Sequence, residues 1–133
     1  TASYSYDKTE ITEDDVNSAN VGNRLVNAPT NMGSLYLSHT MRWSVVPGDF
    51  RVGGGARYVG TRAGDPENSF TLPDYTVADA FVAWDNQLLG KHTQIKLNVN
   101  NLFDKEYYSS SAGNLRVIEG EPRNVVLSAA VDF

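Results

Sequence analysis

Gln94-Ile95-Lys96-Leu97-Asn98-Val99-Asn100 alternates polar and apolar residues at every step. Successive side chains of a β-strand point to opposite faces, so Ile95, Leu97 and Val99 share one surface while Gln94, Lys96, Asn98 and Asn100 share the other. No apolar stripe of helical period runs through it. One face must meet something apolar, and the other must stay wet.

The same period of two recurs along the chain in runs bounded by Gly, Asn, Asp, Ser and Pro, which predicts an all-β, antiparallel chain of about six long strands. A first strand is expected over about Ala2–Ile11, followed by a polar, Asn-rich loop at 12–24. The second, about Asn31–Trp43, sets Leu35, Leu37, His39, Met41 and Trp43 against Ser34, Tyr36, Ser38, Thr40 and Arg42. Pro47-Gly48 then marks a tight turn. In the third, about Phe50–Thr61, Val52, Gly54, Ala56 and Tyr58 oppose Arg51, Gly53, Gly55 and Arg57. The fourth covers about Asp74–Trp84 and leads through a short connection at 85–91 to the quoted strand. The sixth, Arg123–Phe133, alternates Val125, Leu127, Ala129, Val131 and Phe133 with Val126, Ser128, Ala130 and Asp132.

Connections that run long, short, long, short, long are the asymmetry of an outer-membrane barrel, with long extracellular loops and tight periplasmic turns. The strands run near the roughly ten residues that a tilted strand needs to cross a bilayer, whereas soluble strands average about five or six. No amphipathic helix is available to cover the apolar face. Trp43, Trp84 and Phe133 stand where strands abut short turns or the C-terminus, as an interfacial aromatic girdle would. The terminal set Leu127, Ala129, Val131 and Phe133 resembles the signature read by the outer-membrane insertion machinery. Pattern alone leaves a soluble sandwich or lipocalin-like barrel open. Since about eight strands are the minimum for closure, the membrane reading expects further strands upstream. The mid-strand character of Ala2-Ser3-Tyr4 likewise marks the chain as a piece of a longer protein.

Composition narrows the field. A net charge of −5 and the absence of a basic cluster argue against nucleic acid. No apolar run approaches the roughly 18 residues of a spanning helix. There is no cysteine, and His39 and His92 lack partners at metal-ligand spacing, so neither a protein-bound metal nor a resident cofactor is expected. Gly53-Gly54-Gly55 has no strand-loop-helix context and reads as close strand packing. The acidic run Glu10, Glu13, Asp14, Asp15 reads as a solvated loop, and no catalytic constellation stands out.

The run NVNNLFDKEYYSSS at 98–111, followed by GEPRNVVLSAAVDF at 120–133, resembles the end of TonB-dependent siderophore receptors. Ser3-Tyr4-Ser5-Tyr6, Gly22-Asn23-Arg24-Leu25-Val26-Asn27-Ala28-Pro29 and Leu72-Pro73-Asp74-Tyr75-Thr76-Val77-Ala78-Asp79 resemble the same family in the same order. The resemblance covers nearly the whole chain. It implies a transmembrane β-barrel segment, residues 1–133, from the C-terminal end of a barrel of roughly 22 strands with an N-terminal plug. It further implies an outer-membrane receptor for ferric siderophores, energised by TonB through an upstream region. Cobalamin, haem or a glycan as substrate, or a soluble β-sheet binding module, remain the alternatives.

Among residues expected near the mouth or lumen, Tyr107, Tyr108, Arg116, Arg62 and Arg57 are the candidate ligand contacts, since aromatic rings and guanidinium groups suit anionic iron chelates. Asn100 is expected to hydrogen-bond in the wet lumen, and Leu102 or Phe103 to anchor at an interface. Trp43 and Trp84 are the expected lipid-interface aromatics.

Overall fold

A computed structural model describes residues 1–88, 90–113 and 115–132. Ten strands are formed: β1 (Ala2–Tyr6), β2 (Asn31–Arg42), β3 (Asp49–Val59), β4 (Arg62–Ala63), β5 (Thr71–Leu72), β6 (Tyr75–Leu88), β7 (Lys91–Asn100), β8 (Tyr108–Ser111), β9 (Val117–Glu119) and β10 (Asn124–Val131). Six of them make one antiparallel sheet in the order β1-β2-β3-β6-β7-β10. Each strand of that sheet pairs with the next long strand in the chain, so the wall is a simple up-and-down meander with β1 and β10 at its edges. The pairs β4-β5 and β8-β9 are small hairpins inside the second and third long loops. The long loops, 7–30, 60–74 and 101–123, all emerge at one end, while 43–48 and the short connection from β6 to β7 lie at the other.

Register carries the alternation of single strands across the sheet. Leu37, Gly54, Ala80, Val99 and Val125 lie in one row; Val52, Val82, Leu97 and Leu127 align in the next, with His39 at its edge. Below them run Met41, Phe50, Trp84, Ile95 and Ala129. A one-residue slip would exchange this surface with the polar one, so patterning fixes the register. Nothing among the described residues covers the apolar face: Leu37 is 67 % and Leu127 71 % exposed. A water-soluble sheet would hide such rows under a second layer, whereas lipid needs none. At the short-turn end the face closes on a stack in which the Trp43 and Phe50 rings lie 5.0 Å apart and Phe50 and Trp84 6.3 Å apart. Tyr4, Tyr6 and Tyr58 occupy its long-loop end. The band between them suits the roughly 25 Å apolar belt of membrane barrels.

The opposite face is polar and internally paired. Tyr36 donates to Asp79 (2.8 Å), Gln94 to Asp85 (2.6 Å) and Asn100 to Asn124 (2.7 Å), and Lys96 sits over the Phe81 ring. Arg42 and Asp49 pair where β2 and β3 meet the short turn. In that turn Gly48 has φ +108°, and a Cβ there would meet the Asp85 carbonyl and the Trp84 indole. The indole instead donates to the Pro47 carbonyl at 2.9 Å.

Three boundaries differ from those the sequence predicts. β1 ends at Tyr6 and not near Ile11, because Asp7 makes a last bond to Thr30 and Ile11 pairs within the loop with Asn23 and Gly22. β6 runs on to Leu88, shrinking the expected connection at 85–91, since Asp85, Asn86 and Gln87 keep pairing with Gln94, Thr93 and His92. β7 opens at Lys91, ahead of Gln94, and stops at Asn100; the stretch 101–107 lies in no strand, and β8 pairs with β9 in a separate two-stranded sheet. Of the expected terminal signature, Leu127, Ala129 and Val131 share the apolar face of β10, while Phe133 lies outside the described residues.

Candidate ligand site at the long-loop end

Asn101 ends β7 in the left-handed region, with φ +48°, a conformation Asn tolerates better than most residues. Buried there, it accepts from the Lys105 amide (2.8 Å) and donates to the Lys105 and Glu121 carbonyls (2.9 and 3.0 Å). Its own amide bonds to Asp79 at 2.9 Å. One side chain thus folds the 101–105 turn and ties it to the segment that re-enters the sheet. Asp104, at φ +53°, caps the return by accepting from the Arg123 amide at 2.9 Å.

Above this turn the polar face gathers Val59, Tyr75 and Val77, with Tyr107 packed against them. The Tyr75 and Tyr107 rings lie 4.3 Å apart, and the Arg62 guanidinium sits 5.3 Å from the centre of the Tyr75 ring. Two hollows open on either side of Tyr107. One, of about 510 Å³, is lined by Tyr107, Tyr108, Lys105, Glu106, Glu119 and Gly120 among others. The other, about 140 Å³ in the wall below, includes Arg57, Asp79, Asn100, Tyr107 and Asn124.

The three long loops are bonded to one another. Asn27, at φ +60°, exchanges two 2.8 Å bonds with the Ser111 backbone, and the Ser111 hydroxyl donates to the Gly64 carbonyl. Asn68, at φ +54°, accepts from the Arg24 amide and donates to its carbonyl, each at 3.0 Å. A parallel bridge joins Val26 to Ala63. Leu72 and Asp65 are 2 % exposed beneath these contacts, so the loops have a small interior of their own. In the first loop the Asn17 amide, the Asn20 side chain and the Val16 amide hydrogen-bond Asp14 and hold its carboxyl below the usual carboxylate range.

The candidates divide accordingly. Tyr107 lines both hollows, Tyr108 the larger and Arg57 the smaller. Arg116 is exposed near the tip of the β8-β9 hairpin, away from both, with its carbonyl accepting from the Ala112 amide at 2.8 Å. Arg62 is only 3 % exposed and spends its guanidinium on the Ser109 and Tyr108 carbonyls, at 2.7 and 2.8 Å. It stands behind the mouth and not in it. Asn100 makes the expected lumen bond, to Asn124, and Phe103 is exposed. Asn27, Asn101 and Ser111 are structural residues of this corner that alternation could not single out, because each acts through a turn or through another loop, and Tyr75, at the start of β6, matters through its ring contacts; the one signal in the sequence was asparagine, a residue that tolerates a left-handed backbone, at positions 27 and 101.

Such a wall, polar within, bare and apolar without, with loops bonded into a rim at one end, agrees with comparison to known proteins. Residues 1–102 match the family described as TonB dependent receptor-like, beta-barrel. The chain belongs to that family. It is 39 % identical over 131 residues to the metal-pseudopaline receptor CntO of Pseudomonas aeruginosa, covering 98 % of this chain and 18 % of that protein. It is 37 % identical over 132 residues to the ferrichrome outer membrane transporter/phage receptor of Escherichia coli, covering 98 % and 17 %. The fold matches the crystal structure of BauA, the ferric preacinetobactin receptor of Acinetobacter baumannii, with a TM-score of 0.85 at 23 % identity over 98 % of this chain and 19 % of that one. The chain therefore spans about a fifth of the length of these relatives. As TonB-dependent receptor barrel, it is an outer-membrane wall segment.

Proposed function

We propose that this chain is the C-terminal wall of an outer-membrane receptor that takes up ferric siderophores with energy delivered by TonB. The observation that carries the reading is that a barrel wall with a built extracellular rim is shared, along nearly its whole length, with receptors named for ferric siderophores. In this reading the parent barrel has about 22 strands and a plug. The C-terminal set Leu127, Ala129, Val131 and Phe133 engages the insertion machinery, and Trp43 and Trp84 anchor at the periplasmic lipid interface. Tyr107, Tyr108 and Arg57 contact the chelate at the mouth; Arg116 meets it from the hairpin. The role is binding and transport, not catalysis. The name of the metal-pseudopaline receptor favours a second reading within the same class, a chelate of a metal other than iron.

The test is uptake by cells carrying the full-length gene or its deletion, given radiolabelled ferric chelates and, separately, other metal chelates. Accumulation of a ferric siderophore that needs both the gene and TonB is expected. Uptake confined to a chelate of another metal would move the assignment to the second reading, and no difference for any chelate would reject both.

A further inference from the structure

We propose that Arg62 is a positioning residue that presents the Tyr107–Tyr108 rim to ligand, acting through the main chain of β8 and the ring of Tyr75. The inference rests on the receptor reading for its ligand but not for its geometry. Arg62 begins β4 in the second long loop, whereas both tyrosines belong to the third. Its two terminal nitrogens grip consecutive carbonyls, Tyr108 at 2.8 Å and Ser109 at 2.7 Å. Only a planar, forked cation satisfies two acceptors from one rigid group; a lysine ammonium is a single point on a flexible stem. The guanidinium also lies over Tyr75, which packs 4.3 Å from Tyr107, and Tyr107 in turn closes over Gly120, where no Cβ would fit. One side chain therefore sets both the backbone of Tyr108 and the ring of Tyr107.

Two further observations show that the group is committed to this role. Arg62 has no carboxylate at ion-pair distance among the described residues, and its Nε is buried without a hydrogen-bond partner. Among the described residues a buried guanidinium so placed is compensated by carbonyl oxygens and an aromatic face and by no carboxylate, so displacing either acceptor is costly. The neighbouring contact of Asn27 with Ser111 fixes the far end of the same strand. Tyr108, 42 % exposed, is thus held from behind and free in front.

The experiment uses the full-length receptor with Arg62→Lys, Arg62→Gln, Tyr108→Ala and the double variant Arg62→Lys/Tyr108→Ala, each checked for the heat-modifiable migration of a folded barrel. Without ligand, hydrogen exchange of the 107–112 amides should quicken at least about tenfold in Arg62→Lys and Arg62→Gln, while the β6 and β7 amides stay unchanged. With radiolabelled ferrichrome and ferrioxamine B as probes, Arg62→Lys should weaken binding of the probe that the parent receptor takes by about tenfold. In the Tyr108→Ala background the same change should cost clearly less, since the part of the effect that passes through the Tyr108 side chain is already lost and only the part through Tyr107 remains. Unchanged exchange at 107–112 would overturn the proposal. So would equal losses in both backgrounds, which would mean a general weakening of the rim. Binding of neither probe by the parent receptor would count against those chelates as its ligands, and the exchange measurement would still decide the role of Arg62.

Discussion

Asn101 combines two properties that are separable by substitution, its left-handed backbone and its amide. Asn101→Gly keeps the first and loses the second; Asn101→Ala loses both. Leaving the Lys105 and Glu121 carbonyls and the Lys105 amide without a partner should cost about 1–3 kcal/mol in either variant. The strained backbone should add about 1 kcal/mol in Asn101→Ala alone. Thermal loss of the folded, heat-modifiable form of the receptor measures both, and equal midpoints for the two variants would contradict the backbone part. Asp14 supplies a pH dependence at the same scale. Its folded pKa is depressed, so the order it gives the first loop is complete above its unfolded value of about 4 and is lost as the pH falls through the folded value. Exchange of the Val16 and Asn17 amides should therefore quicken only on acidification, and Asp14→Asn should abolish that dependence.

Among the elements, β3 shows how the wall is kept flat on its lumen side. Gly55 lies under the Tyr36 ring, which crosses it to reach Asp79 on β6. A Cβ at Gly55 would meet the Leu35 carbonyl and stand 2.7 Å from the Tyr36 ring, so Gly55→Ala must displace the ring or part the strands. A loss of about 1–3 kcal/mol is expected, with the Tyr36–Asp79 bond weakened; unfolding of Gly55→Ala and Tyr36→Phe, singly and together, would show whether the two losses overlap. The spanning strands were legible in the sequence because period-two alternation is imposed on every residue between two interfaces. Their ends were less so. β1 stops at Tyr6 because its partner β2 does not extend beyond Asn31, and partnership is not written in β1 itself. The rim was the least legible part. Arg62 reads as one more cation near a mouth, and only the fold brings it against Tyr75 and the carbonyls of a loop more than forty residues away.

For the whole molecule, lipid contact is the property on which the rest depends. Trp43 is 56 % exposed on the apolar face beside a turn, at the end opposite the long loops. In reconstituted receptor, the fluorescence lost between the parent and Trp43→Phe should be quenched most by lipids brominated near the headgroup and little by aqueous iodide. The reverse order would place that face in water. Most of the 16 acidic residues sit in the long loops, so the outward end of the wall is anionic while the strands are close to balanced. The bonds that join those loops share a further trait: Arg62, Asn27, Asn68 and Asn101 largely grip main-chain atoms of Tyr108, Ser109, Ser111, Arg24, Lys105 and Glu121. A grip on a carbonyl is indifferent to the side chain attached to it. Replacing the residues that are held leaves the hold in place, whereas replacing the four that do the holding does not. A lineage bearing this wall can therefore rewrite the outward side chains of these loops without refolding the frame beneath.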